Sequence, residues 1–560
     1  MRNLGILATA TLGLAGALIG CADHPYDPGA PAIDPTAPRV HIITPARGAF
    51  AGDVQILTVT GTATDDTGVT SVQVNGVDAA LAADGAWTAT IPVAPGTQLI
   101  HAVARDAQGN VGKESRAVVA GPLQPIAAAV PQAIGVAMSA QTFGALGRGI
   151  TGYLQTGDLA AAVAPLNPVI DVGGGPDCNY VQASITHLAV GAATRVAVLP
   201  EPGGLALDVE LDQVALGMHL AYAVVCLDGA TDLTITASHI QVTGLLGVGV
   251  QGGGFAMALT GQTVQLTGVR VDLTGLPGDV VQWLDLEHAL GSVVGFAARQ
   301  LVVPAVNTAL GSLDDTRTVS VLGTPVDLHV APAQIAFDAS GAVIELDTAL
   351  RAHGDTGAPG YVLVPSQPPA MSTDRGFALA VADDAANQLL TSLWAAHGLD
   401  LGFDLTTGSY GDIGKLYDRV ELAAQVPPFF SASPTGSGGA LRLTIGDLIA
   451  SFKNGDALTT QVAVSAEVDV RVVADPGGLL RLDVGTPTTY VDVLDDHVTG
   501  ANVLSNAQFE AIASFALARV IAIGSGALGA IPLPSLGGVA LGDLAIAEQS
   551  GYLVVQGTVQ

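Results

Sequence analysis

The cysteine at position 21 is the residue whose surroundings indicate the most specific chemistry. It ends the run Leu18-Ile19-Gly20-Cys21, which follows Arg2 and an apolar stretch over residues 4–19. This order resembles a lipobox, in which a cysteine behind a small residue is diacylated and becomes the new N-terminus. A targeting segment is removed and does not enter the fold. We therefore expect residues 1–21 to be a lipoprotein signal peptide; an ordinary signal peptide with an incidental cysteine is the alternative.

A lipid on Cys21 would tether the mature chain to a membrane of the bacterial cell envelope, outside the cytoplasm. Ala22 rather than Asp follows the cysteine, which under the enterobacterial rule favours the outer membrane, on its periplasmic or surface face. Residues 22–38 contain five prolines. We expect this segment to be a spacer that reaches about 50 Å when extended.

Cys178 and Cys226 are the two cysteines left after Cys21. In an oxidising compartment we expect them to form a disulfide. The closed loop of about 49 residues would stabilise the fold by roughly 4 kcal/mol in the chain-entropy model. Two free buried thiols are the alternative. Two cysteines are too few for a structural zinc site, and we predict neither a metal nor a cofactor.

The sequence lacks the usual catalytic arrangements. It contains no Gly-x-Ser-x-Gly elbow of an esterase and no His-Glu-x-x-His of a zinc protease. Two acid pairs, Asp383-Asp384 and Asp495-Asp496, are explained by a helix start and a turn. The histidines are scattered without ligand spacing. We therefore predict a protein that is not an enzyme.

Composition and charge exclude several classes of partner. The chain is 49% apolar but only 4% aromatic, and its net charge is −30. That charge argues against nucleic acid and against electrostatic attachment to anionic lipid. No segment after the signal gives a clean run of 18 apolar residues, so no membrane-spanning helix is expected. A soluble chain this apolar has to hide its surface in a large core or an internal cavity.

Residues 39–120 have the pattern of an all-β sandwich. Short alternating segments are separated by turn residues every 8 to 12 positions, of which Asn75-Gly76 is a strong hairpin signal. Together with Asp84-Gly85-Ala86-Trp87 and Asp106-x-x-Gly109-Asn110, they resemble bacterial immunoglobulin-like repeats of cell-surface proteins. Such domains are usually spacers and less often bind sugars. Asp106 and Asn110 are possible calcium ligands, but turn chemistry alone explains them.

The chain after the N-terminal sandwich is predicted to consist of two similar halves. In residues 130–350, a helix over 134–154 precedes a strand-rich segment, and a long amphipathic helix over 279–310 precedes further strands. Apolar side chains recur on one face of each helix. In the first helix they are Val136, Phe143, Leu146 and Ile150, and in the second they include Trp283, Leu286, Leu290 and Val294.

Residues 370–560 repeat this order. A helix over 377–397 is followed by strands over 441–493, a second helix over 506–523 and two final strands over 539–559. The first helix carries Leu390, Leu393 and Trp394 on one side, and the second carries Phe509 and Ile512 in line.

Several of these segments resemble one known family. Ala133-Ile134-Gly135-Val136, Val281-Gln282-Trp283-Leu284 and residues 377–384 resemble the openings of its helices. Residues 529–534 and 552–557 resemble its last loop and final strands. The ordered set is similar to the tubular lipid-binding superfamily, and within it to the bactericidal/permeability-increasing and lipopolysaccharide-binding proteins.

The resemblance implies an α+β fold. An N-terminal all-β immunoglobulin-like sandwich would precede two half-open antiparallel β-barrels, each wrapped on long helices and joined by a central sheet as an elongated double barrel. Each barrel would hold an acyl chain in an apolar slot, and ordinary core packing is the alternative for any single residue of its wall. The expected lipid-binding side chains are Val136, Phe143, Leu146, Ile150, Trp283, Leu286, Leu290, Val294, Leu390, Leu393, Trp394, Phe509 and Ile512.

The chain also departs from that family. Its members that bind endotoxin use a basic tip, whereas this chain is strongly acidic, and Cys178 and Cys226 do not map onto the family's disulfide. We expect a membrane-anchored protein that binds or transfers phospholipid or another acyl lipid. The alternative is a surface adhesion or structural lipoprotein whose barrels are only a scaffold. Co-purification of lipid with the soluble form distinguishes the two.

Overall fold

The computed structural model describes residues 36–173, 178–271, 280–281, 284, 303–304, 306–308, 310–311, 313–364, 366–374, 376–406, 413–432, 440–474, 480–496 and 541–559. Within these ranges, no helix is long and apolar enough to cross a membrane. Some predicted sites lie outside the described residues. They are Cys21 with its signal peptide, most of the 22–38 spacer, Trp283, Leu286, Leu290, Val294, Phe509 and Ile512.

The N-terminal sandwich (residues 39–120) consists of two facing sheets. The first has the order β1-β3-β7-β6 and the second β2-β9-β8-β4-β5. Asn75 and Gly76 have positive φ between paired Val74 and Val77, which confirms the predicted hairpin. Trp87 fills the core between the sheets. The strands are β1 (Arg39–Thr44), β2 (Ala49–Gly52), β3 (Ile56–Thr64), β4 (Val69–Val74), β5 (Val77–Asp78), β6 (Ala80–Leu81), β7 (Ala86–Pro92), β8 (Gly96–Asp106) and β9 (Val111–Ala120).

A central sheet joins the two halves of the remaining chain. Its order is β19-β20-β21-β11-β23-β32-β31, and β11 pairs antiparallel with both β21 and β23. Strands from the first half therefore continue directly into strands from the second, as expected. The strands are β11 (Val130–Ser139), β19 (Asp315–Val321), β20 (Thr324–Asp338), β21 (Gly341–Ala352), β23 (Phe377–Ala382), β31 (Leu541–Gln549) and β32 (Tyr552–Val559). A separate pair, β10 (Leu123–Gln124) and β22 (Tyr361–Val362), lies beside it.

The first half-barrel is a curved sheet dominated by one very long hairpin. β15 pairs with β16 from end to end of β15, and the buried and exposed side chains of the two strands alternate. This period of two gives the sheet one apolar face, which forms the largest core of the molecule. The strands are β12 (Ile170–Val172), β13 (Tyr180–Ala189), β14 (Arg195–Glu201), β15 (Gly204–Val224), β16 (Leu227–Gln251), β17 (Gly254–Thr267) and β18 (Arg270–Val271).

The second half-barrel repeats this plan on a smaller scale. Its long hairpin is formed by β27 and β28, and its apolar face encloses a separate core. Together, the sandwich, the two half-barrels and the central sheet confirm the expected fold. The strands are β24 (Leu401–Asp404), β25 (Arg419–Ala424), β26 (Phe429–Ala432), β27 (Ala440–Asn454), β28 (Ala457–Ala474), β29 (Leu480–Val484) and β30 (Thr488–Asp496).

Two predicted helices begin later than the sequence pattern indicated. Residues 134–139 and 377–382 are strands β11 and β23 of the central sheet. A short apolar run buried on both faces has no period that separates strand from helix, so the sequence merged each strand with the helix behind it. The helices whose bounds are described are α1 (Ala140–Thr156), α2 (Leu159–Val163), α3 (Asp383–Ala395) and α4 (Ile413–Leu416), with short 3₁₀ turns at Ala164–Leu166 and Asp355–Gly357.

The N-terminal sandwich is packed against the rest of the chain. Leu99, Ala117 and Val119 of the sandwich share a buried cluster with Val426 and Phe429 of the second half-barrel. The Thr97 hydroxyl donates a hydrogen bond of 2.7 Å to the carbonyl of Pro427. The sandwich is therefore a docked unit, whereas its sequence pattern is typical of spacer domains.

Candidate functional site

The interior of the first half-barrel brings four of the predicted site residues together. Val136 of β11 and the α1 residues Phe143 and Ile150 are buried in its core, and Leu146 packs at its margin. The rings of Phe143 and Phe337 lie 6.1 Å apart between centroids. The predicted stripe of α1 thus faces the inner wall of the sheet.

Helix α1 is held close to β14 by one glycine and by polar contacts. A Cβ atom on Gly147 would lie 2.7 Å from the carbonyl oxygen of Val196, so the helix could not approach this strand with a larger residue. The Val196 N–H donates to the Thr151 hydroxyl at 2.9 Å. The Gln155 amide donates to the carbonyls of Ala192 and Thr194. This close fit fixes α1 across the concave face.

An apolar seam runs between two strands at the border of this interior. We define it by eight partly buried side chains of β17 and β20 that pack against the core of the first half-barrel, which we call the first core. They are Phe255, Met257, Leu259, Val264 and Leu266 of β17, and Leu328, Ile335 and Phe337 of β20. The two strands belong to different sheets and approach each other. The seam therefore has apolar side chains that are neither fully buried nor fully exposed.

The chemistry of the seam suits an apolar chain. On β17, Val264 and Leu266 face the core side while the side chain of the intervening Gln265 is exposed. Gln262 is partly buried in the same alternation, so this face of the strand is mainly, not wholly, apolar. A ligand that covers such a surface is stabilised by about 0.8 kcal/mol for each buried methylene. The strand pattern of residues 264–273 was visible in the sequence. The sequence did not indicate that β17 lies beside β20, because the two strands are some 70 positions apart in the chain.

Parts of the predicted helix over 279–310 contribute to the same interior. Residues 280–281, 303–304, 306–308 and 310–311 are helical. Val280, Val306 and Leu310 are almost fully buried in the first core. The described ends of this segment thus pack on the half-barrel.

The stripe of α3 is placed differently from the sequence interpretation. Leu393 packs with Val321, Val326 and Ala352 of the central-sheet strands, and Trp394 borders the same cluster. Leu390 is buried on the same helix. None of the three belongs to the core inside the second half-barrel. The contact of these three side chains with lipid stays a prediction.

Buried polar side chains explain why α3 faces the central sheet. The Gln388 carbonyl oxygen accepts the N–H of Leu350 at 2.8 Å, and the Ser392 hydroxyl accepts the N–H of Ala352 at 2.7 Å. Gln388 and Ser392 are fully buried. Because buried polar groups need partners, these bonds fix the helix on β21.

Two neighbouring carboxyl groups are buried at the start of α3. Asp383 and Asp384 occupy the first turn, as the sequence predicted. Burial, and next the charge of Asp384, raise the pKa of Asp383 to about 8, and burial raises the pKa of Asp384 to about 6. Asp384 accepts the N–H of Val364 at 3.0 Å. Within the described part of the chain, one Asp383 oxygen has no hydrogen-bond partner.

A second set of buried charges lies where the sandwich meets the second half-barrel. The Arg47 guanidinium contacts Asp447, which is fully buried, and Asp492 at 3.3 Å. Asp447 also accepts the N–H of Ala117 at 2.7 Å, and Asp492 accepts that of Ser115 at 2.9 Å. Burial raises the pKa of both carboxyls, that of Asp492 to about 6. The sequence could not indicate these contacts, because Arg47 and Asp447 are 400 positions apart.

Cys178 and Cys226 form a disulfide, which confirms the predicted pairing. Cys178 precedes β13, and Cys226 lies in the turn between β15 and β16. The bridge therefore fixes one end of the first half-barrel. Among the residues that the structure describes, no group of three or more His, Cys, Asp or Glu side chains is placed to hold a metal ion.

Comparison with known proteins shows one family match and several distant structural likenesses. The family described as glucodextranase, domain B, matches residues 38–121, which is the N-terminal sandwich. The structure of lipopolysaccharide binding protein covers 77% of this chain and 99% of its own, at 13% identity and a TM-score of 0.40. P47 of Clostridium botulinum E1 covers 77% and 100%, at 8% identity and a TM-score of 0.25. No curated protein matches the sequence.

Proposed function

We propose that this protein is a lipid-binding lipoprotein of the bacterial cell envelope that holds an acyl chain along the apolar seam of its first half-barrel. The observation that carries the proposal is the row of half-buried apolar side chains on β17 and β20 beside the first core. A ligand of this kind needs few polar contacts, since apolar pockets bind by burying surface. The net charge of −30 argues against nucleic acid as the partner.

The sequence supports the other part of the proposal, which is the membrane anchor. The lipobox at Cys21 and the proline-rich segment behind it would hold the folded chain near a membrane, outside the cytoplasm. A carrier in this position can exchange acyl lipid with the bilayer without spanning it. The protein would then act by binding or transfer, and not by catalysis.

The test uses the unanchored Cys21→Ser form, freed of native lipid and titrated with a fluorescent fatty acid. We expect saturable binding. Leu266→Asp places a charge on the seam and should weaken binding at least tenfold, because a desolvated carboxylate costs more than the lost apolar contact contributes. Gln265→Asp is the matched control, since it introduces the same charge one residue away on the exposed face.

Circular dichroism and thermal unfolding of both variants separate loss of binding from loss of folding. If the parent protein shows no saturable binding, the lipid-carrier proposal fails and the half-barrels are a scaffold. If both Asp variants bind like the parent, the seam is not the site.

A further inference from the structure

The turn between β15 and β16 displays two large apolar side chains to solvent. Val225 and Leu227 are 75% and 76% exposed, the highest values among the large apolar residues of the described chain. They lie on either side of Cys226, at the end of a hairpin whose strands have 21 and 25 residues. Val172, on strand β12 at the edge of the same sheet, is 41% exposed. We call Val225, Cys226 and Leu227 the hairpin tip.

The backbone conformation of the hairpin tip is unfavourable for the residue types found there. Val225 and Cys226 have φ values of 48° and 62°, the left-handed region in which Asn and Gly are favoured. A β-branched residue is strained there. The same chain places Asn75-Gly76 at an equivalent turn. An apolar side chain is thus held where a polar or small residue would be more stable.

The hairpin tip is also fixed to the neighbouring strand. Cys226 is bonded to Cys178, and its N–H donates to the carbonyl of Cys178 at 2.8 Å. The N–H of Val225 donates to the Asn179 side chain at 2.8 Å. These three links hold Val225 and Leu227 outward and limit their retreat onto the sheet.

The shape and charge around the hairpin tip indicate what kind of surface it contacts. A turn with two or three apolar side chains is convex and far smaller than a stable protein interface, which buries about 800 Å² per partner. Residues 171–194 and 211–240 contain no Lys or Arg, whereas Asp171, Asp228 and Asp232 are exposed. An acidic surrounding disfavours anionic lipid. The surface that fits is a lipid bilayer with zwitterionic headgroups.

We propose that the hairpin tip inserts Val225 and Leu227 shallowly into a zwitterionic lipid surface. The inference rests on the proposed function, because the same hairpin forms the wall of the first half-barrel: Leu220 and Leu233, close to the tip, are buried in its core. Insertion would bring that end of the half-barrel to the membrane from which an acyl lipid is taken.

The experiment measures flotation of the Cys21→Ser protein with phosphatidylcholine vesicles. The double variant Val225→Asn/Leu227→Thr should reduce the vesicle-bound fraction about tenfold, as two exposed apolar side chains are lost. Val225→Asn also relieves the left-handed backbone, so the double variant should unfold at a temperature no lower than the parent. Ile56→Thr, which removes a 61% exposed apolar residue from the sandwich, is the control and should float like the parent.

The inference is overturned by equal flotation of the double variant, by an equal loss in Ile56→Thr, by a parent dimer in sedimentation that the double variant abolishes, or by a parent that does not float. Binding of a monomeric fluorescent fatty acid is measured in parallel and should be the same in all three proteins. A parent that floats but binds no fatty acid would contradict the proposed function and leave the membrane contact standing. A parent that binds fatty acid but does not float would contradict the membrane contact and leave the proposed function standing.

Discussion

At the scale of single residues, the described structure departs from the sequence pattern mainly at buried charges. Asp383, Asp447 and Asp492 are carboxyl groups in low-dielectric surroundings, and burial raises the pKa of each. The sequence placed Asp383 and Asp384 correctly at a helix start, because acids are favoured in the first turn. It could not show that this first turn of the helix is buried beside the turn between β31 and β32, where the Asp383 N–H donates to the carbonyl of Gly551.

Asp383 predicts a pH dependence of stability with a definite sign. Its pKa is raised to about 8 in the folded protein, against about 3.9 unfolded. Between these values the unfolded chain releases the proton and the folded chain keeps it, so the free energy of unfolding falls as the pH rises from about 4 to 8. We expect Asp383→Asn to remove roughly 2–5 kcal/mol of this fall, measured by urea unfolding at pH 5 and 8.5.

The control for this prediction is Asp53→Asn, which alters an exposed aspartate of the sandwich. It should keep the pH dependence of the parent. An unchanged pH dependence in Asp383→Asn would mean that this carboxyl is ionised in the folded protein at neutral pH.

At the scale of elements, strand periodicity and the apolar face of α1 agree with the structure, whereas the apolar residues of α3 did not show which sheet that helix packs on. The alternation in β15 and β28 predicted strands that the structure contains, since a period of two is maintained over many residues. The stripe of α3 was read by its apolar residues alone. Its buried Gln388 and Ser392 decide which sheet the helix packs on, and a pattern that assigns polar residues to the surface misses this role.

Helix α1 offers a matched pair of glycine substitutions. Gly147 faces β14, where a Cβ atom would lie 2.7 Å from a backbone oxygen, whereas Gly149 has open space within 4 Å. Gly149→Ala should stabilise the protein by about 0.5–1 kcal/mol through helix propensity. Gly147→Ala should destabilise it by about 1–3 kcal/mol, because the helix has to move away from the strand. Thermal unfolding compares the two, and equal shifts would show that α1 is not held at this distance.

At the scale of the whole molecule, the sequence predicted the order of sandwich, half-barrel and half-barrel, but not how the sandwich is attached. Its turn chemistry is local and could be read directly. Its docking depends on Arg47, Asp447 and Asp492, whose separation in the chain leaves no sequence signal. The stacked rings of His101 and Tyr490, 3.6 Å apart, lie at the same interface. Burial lowers the pKa of His101 to about 4.

The charged interface predicts a large effect from one substitution. Arg47→Met leaves the fully buried Asp447 without its cation and should cost about 3–5 kcal/mol of unfolding free energy. Arg195→Met removes the cation of an exposed pair with Glu210 and should cost less than about 1 kcal/mol. Equilibrium urea unfolding followed by tryptophan fluorescence reports both. Similar losses in the two variants would contradict the docked arrangement of the sandwich.

Lipid that co-purifies with this chain is the most direct test of whether it carries an acyl lipid, as we propose. The Cys21→Ser protein is purified without detergent, and the molecules extracted from it are identified by mass spectrometry and counted against protein. We expect acyl lipid in near-stoichiometric amount, reduced in Leu266→Asp and unchanged in Gln265→Asp. Protein that is folded but free of lipid, and that takes up none from vesicles, would contradict the proposal.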